Sequence, residues 1–124
     1  MDKVVHFEIP TDNMDRAKKF YKIFGWEIQD VPGMDYVSVR TVQVDDKKIP
    51  KESGAINGGM MQRMPEVRGP VIAIQVKSVD TYLKKVSTAG GKIVMPKMEI
   101  AGQGYYAYVT DTEGNVIGLW EPVK

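Results

Sequence analysis

The chain has 124 residues, 43% of them apolar and 27% charged, with 17 basic against 16 acidic side chains. That length suits one globular domain, which buries about two-thirds of its unfolded surface and folds without disulfides or a structural metal. The lack of cysteine excludes thiol nucleophiles and zinc–thiolate centres. The balanced, interspersed charge offers no basic stripe to a nucleic acid.

No apolar signal-type region follows Met1-Asp2-Lys3, and no run approaches the ~18 apolar residues of a membrane span. The sequence therefore predicts a cytoplasmic chain with neither nucleic acid nor membrane as a partner.

Lys3–Ile9 alternates as a strand, with Val5, Phe7 and Ile9 on one face and Val4, His6 and Glu8 on the other. His6 is the only histidine. Pro10-Thr11-Asp12 breaks the strand, and Asn13 is placed to cap a helix whose first turn carries Asp15. Met14, Ala17, Phe20, Tyr21 and Phe24 then share a helical face, and Gly25 stands where a left-handed residue ends the helix. Trp26–Gln29, Tyr36–Val44 and Ala55–Gln62 read as strands, separated by a Pro32-Gly33 turn and a Lys-rich loop.

Beyond Arg63–Gly69 the order recurs. Val71–Val76 reads as a strand, Ser78 as a cap, and Val79, Tyr82, Leu83 and Val86 as a helix face stopped by Gly90-Gly91. Lys92–Met95, Tyr105–Val109 and Asn115–Glu121 read as strands, with a loop over Pro96–Gly104 and a turn at Asp111–Gly114. A shift of 65 residues superposes Ile9 on Ile74, Asp15 on Asp80, Lys19 on Lys84, Gly25 on Gly90 and Ile28 on Ile93. It also superposes cap on cap, Asn13 on Ser78. The chain thus reads as α+β: two βαβββ modules, about 1–64 and 69–124, in one domain spanning 1–124. Such modules can form a curved mixed sheet around a cleft, with the helices outside. The cleft side would carry His6 and Glu8, and by the repeat Val71, Ala73 and Gln75.

Three stretches resemble the vicinal-oxygen-chelate superfamily of glyoxalase I, bleomycin-resistance proteins and extradiol dioxygenases. They are Val5-His6-Phe7-Glu8-Ile9-Pro10, the Asp15–Tyr21 helix leading into Phe24-Gly25-Trp26, and Asp111–Leu119. Ile56-Asn57-Gly58-Gly59-Met60 and Gly118-Leu119-Trp120-Glu121 are most similar to small glyoxalase-like, lactoylglutathione-lyase-related proteins. The resemblance implies a homodimer and a divalent metal held by four positions, on the first and last strand of each module. Those positions read His6, Gly59, Val71 and Gly118 here. A single imidazole does not hold a catalytic ion, because such sites take three or more protein ligands. The expectation is therefore no metal and no other cofactor.

Three functions compete. The first is a metal-free protein binding a small apolar or planar molecule, with or without catalysis. Its ligand-binding candidates are His6, Glu8, Gly59, Met61, Gln75, Gly118 and Trp120, and its catalytic candidates are His6 and Glu8. The second is a metal-dependent lyase, isomerase or dioxygenase using His6 with a rearranged set drawn from Glu8, Gln75 and Glu121. The third is an interaction module that keeps only the fold. Tyr36, Tyr105, Tyr106 and Tyr108 lie on middle strands and can face either way. For any single one of these aromatics, core or dimer-interface packing is the more common role. Capture of a cationic antibiotic fits poorly, since such proteins tend to be acidic and this chain is near neutral.

Overall fold

A computed structural model describes residues 1–123. Among these residues the chain is α+β, with eight strands and two α-helices. In order these are β1 Lys3–Thr11, α1 Met14–Tyr21, β2 Glu27–Asp30, β3 Val37–Arg40 and β4 Asn57–Gln62, then β5 Val71–Gln75, α2 Val79–Thr88, β6 Lys92–Ile100, β7 Gly104–Thr110 and β8 Val116–Pro122. The chain divides into two compact units. The first is His6–Pro70, and the second joins Met1–Val5 to the chain from Val71 onward.

In the first unit the strand order is β2-β3-β4-β1, with β1 parallel to β4 and the other pairs antiparallel. Asn13 Oδ1 accepts the Arg16 N–H at 3.0 Å and starts α1. Met14, Ala17 and Tyr21 of α1 pack with Phe7, Ile9, Trp26 and Ile28 against buried Val37, Val39 and Met60. Phe20 and Phe24, expected on that buried face, are 55% and 59% exposed. For Phe24 the reason is that α1 ends at Tyr21 and continues as a 3₁₀ turn, Lys22–Phe24. The tighter winding turns Phe24 off the stripe that Met14, Ala17 and Tyr21 occupy. Gly25 closes the turn at φ 77°.

The second unit repeats the plan as β5-β8-β7-β6, with β5 parallel to β8. Ser78 Oγ accepts the Thr81 N–H at 3.2 Å. Val79, Tyr82, Leu83 and Val86 of α2 meet Val76, Ala107, Val109 and Leu119 in its core. One sequence expectation fails here. Pro96 lies inside β6, not in a loop. Because β6 is the outer strand of this unit's order, an imino acid there removes no necessary ladder bond. The pairing with β7 slips twice, between Ile93 and Met95 and between Met95 and Met98. The third strand is also shorter than its β-branched composition suggests. It stops at Arg40 because Asn57 captures the next residues, its Oδ1 accepting the Thr41 and Val42 N–H groups at 2.7 and 3.1 Å.

Candidate functional site

In β1, Phe7 and Ile9 face the α1 core, so alternation turns His6 and Glu8 to the opposite face. Glu8 is only 5% exposed, an unusual depth for a carboxylate without partners. One of its partners comes from outside the strand. Tyr36, immediately before β3, donates its O–H to Glu8 Oε2 at 3.0 Å, and the same phenol oxygen lies 2.7 Å from His6 Nε2. Imidazole, phenol and carboxylate thus form one chain, with the two rings 19° from parallel.

Burial holds the His6 pKa below its ordinary value, and Glu8 opposes this more weakly.

The register explains why Tyr36 fits. Glu8 pairs with Gly59 on β4, and Ser38 pairs with Gly59 from β3. Tyr36 lies two residues before Ser38, so its ring reaches diagonally across Gly59. A Cβ on Gly59 would overlap Cε2, Cζ and Oη of that ring. The second unit uses the same device. Ala73 pairs with Gly118, and Tyr108 pairs with Gly118 from β7. Tyr106, two residues before Tyr108, lies over Gly118, where a Cβ would sit 2.6 Å from its Cζ. Since Glu8 and Ala73 correspond by the 65-residue repeat, Gly59 and Gly118 are equivalent positions, each roofed by an equivalent tyrosine.

The remaining candidates divide between the units. Met61 in β4 is 7% exposed. In the second unit Val71 and Ala73 are buried, whereas Gln75 is exposed. Trp120 shares the Gly118 face, its ring 6.3 Å from that of Tyr106, which in turn lies 5.0 Å from Tyr108. Tyr105 is on the other face, with the α2 core. Glu121 is committed elsewhere, accepting the Val79 N–H at 2.8 Å at the start of α2. Among the described residues no three His, Asp or Glu side chains converge as a metal site. A surface depression of about 470 Å³ in the first unit, beside Arg40, Gln43 and Lys51, includes none of these candidates.

The sequence profile of the bleomycin resistance protein-like N-terminal family matches residues 3–41, which contain β1, α1, β2, Tyr36 and β3. Over the full chain the fold is similar to that of several solved structures. The chain is 16% identical to a methylmalonyl-CoA epimerase from Mycobacterium tuberculosis, with a TM-score of 0.58 over 97% of this chain and 87% of that one. The chain is thus similar to the bleomycin-resistance group in sequence over residues 3–41 and to these structures in fold. Another structure of this fold, a hypothetical protein from Bacillus halodurans, gives a TM-score of 0.64 at 16% identity over 99% of this chain and 96% of that one. A putative glyoxylase, CFP32, of Mycobacterium bovis and of Mycobacterium tuberculosis is 29% identical over 92% of the chain. The chain spans 43% of the length of these curated relatives. Sequence reasoning named Tyr36 only as a middle-strand aromatic able to face either way, and did not place it with His6 and Glu8. It lies just outside β3, where strand alternation assigns no face, and the signal that points to it is the glycine it covers.

Proposed function

We propose that this chain is a metal-independent member of the glyoxalase/bleomycin-resistance group that binds a small apolar or planar molecule at the strand face carrying His6, Glu8 and Tyr36. The observation that carries the reading is the pair of roofed glycines. Gly59, Val71 and Gly118 supply no donor atom, and His6 Nε2 is already engaged by Tyr36. At both glycines the first atom of a ligating side chain would overlap the phenol of a tyrosine. These residues do not fit a divalent ion, which needs three or more protein ligands. Of the rearranged set, the Glu121 carboxylate is already bound to the start of α2.

Gly59 and Met61 are the further residues of that face we assign to ligand contact, and Gly118, Trp120 and Gln75 are the corresponding candidates of the second unit taken by itself. Glycine lets a flat molecule approach the backbone, and the thioether and indole offer polarizable walls. His6 and Glu8 are the acid–base candidates should the bound molecule react. By the family resemblance we take the chain as a homodimer, which sedimentation velocity would test.

Thermal-shift screening with planar and apolar compounds in excess EDTA tests the function. Stabilisation that persists in EDTA and is lost in Tyr36→Ala supports the reading. Stabilisation that appears only with an added divalent metal overturns it.

A further inference from the structure

We propose that the Glu8–Tyr36 pair locks His6 with its proton on Nε2, so that Nδ1 presents a hydrogen-bond acceptor and the site selects ligands carrying an O–H or N–H donor. This rests on the reading of that face as a ligand site. The argument is one of hydrogen counting. The Tyr36 oxygen lies within hydrogen-bond distance of both Glu8 Oε2 and His6 Nε2, and a phenol has a single hydrogen. A carboxylate has none to give, so the phenol hydrogen goes to Glu8 in a charge-assisted bond. His6 Nε2 must then donate to the phenol oxygen. In a neutral imidazole the other nitrogen is left as an acceptor.

That acceptor is available. Nδ1 meets no hydrogen-bonding group among the described residues. No partly buried residue there hides an unpartnered side-chain nitrogen or oxygen, so Nδ1 reaches the surface. The same face carries the Glu8 carboxylate, which repels anions. A neutral or cationic donor fits, and a carboxylate or phosphate does not. Tyr36 acts here as a positioning residue, since it sets which nitrogen of His6 faces the ligand.

His6 is the sole histidine, so its ring nitrogens give one unambiguous set of ¹⁵N signals. At about pH 8, where an imidazole is neutral, long-range ¹H–¹⁵N spectra of the ligand-free protein should show Nε2 protonated and Nδ1 bare. In Tyr36→Phe, which keeps the ring and loses the hydroxyl, the two tautomers should mix. A protonated Nδ1 in the native protein would overturn the proposal, because it would mean that Glu8 holds a proton and the hydrogen order runs the other way. Ligand selection is read with a matched pair, 2-naphthol and its methyl ether. The naphthol should bind about 10-fold tighter, the worth of one well-made hydrogen bond, and bring a shift at Nδ1. Equal affinity for both would leave the ligand site in place and overturn the donor preference. Binding of neither would remove the ligand site itself, and the donor preference with it.

Discussion

Gly59→Ala tests the roofed-glycine geometry most sharply when made in two backgrounds. The Gly59 backbone is not left-handed, so alanine is conformationally allowed, and the three nearest atoms to the new methyl all belong to Tyr36. In the native background the ring must move. Overpacking costs ~1–3 kcal/mol, and displacing the phenol from Glu8 costs a further ~1.5–3 kcal/mol for a bond to a charged acceptor. Against this, removing glycine from a strand returns ~0.5–1 kcal/mol. The net expectation is a loss of about 2–4 kcal/mol. With Tyr36→Ala already in place the obstacle is gone. Gly59→Ala should then be neutral or stabilising by up to ~1 kcal/mol, leaving a coupling of ~3 kcal/mol. Urea unfolding followed by near-UV circular dichroism reads all four corners of the cycle, with constant m-values as the check on two-state behaviour. The same cost in both backgrounds would refute the geometry.

The His6 titration, followed by NMR, should lie below its ordinary value of 6.5, and Glu8→Gln should lower it further by removing the one influence that raises it. A depressed histidine pKa means that the unfolded chain binds more protons. The His6 contribution to stability is therefore fully present above pH 6.5 and is lost as pH falls through the folded-state value. Glu121→Ala removes the acceptor of the Val79 N–H and should cost about 1 kcal/mol, a fall of roughly 3–5 °C in Tm by calorimetry. Lys48 is the one described non-glycine residue with positive φ, at 67°. Lys48→Gly should stabilise by about 0.5 kcal/mol, since the left-handed strain of ~1–2 kcal/mol outweighs the entropy glycine loses on folding.

Much of the architecture is legible in the sequence because its signals are local. Asn13 and Ser78 cap helices as their side chains suggest, and Gly25 and Gly90 are left-handed at the expected ends. The 65-residue repeat sets β5 and α2 from β1 and α1. The errors arise where tertiary context overrides the local signal. Pro96 stays in a strand because that strand is outermost in its unit, and Thr41–Val42 leave β3 because one asparagine side chain takes their amides. The candidate site is less legible for the same reason. The sequence displays Gly59 and Gly118 as missing ligands, but only the pairing register shows which tyrosines cover them. Tyr36, lying outside its strand, carries no periodicity to announce its role.

Metal content tests the central claim most directly. The protein, purified without chelator and then exposed to an excess of nickel, zinc, manganese or iron(II), is desalted and measured by plasma mass spectrometry. Metal-independent function predicts well under one ion per chain in every case, with no difference between the native protein and His6→Ala. One tightly held ion per chain, lost in His6→Ala, would contradict it.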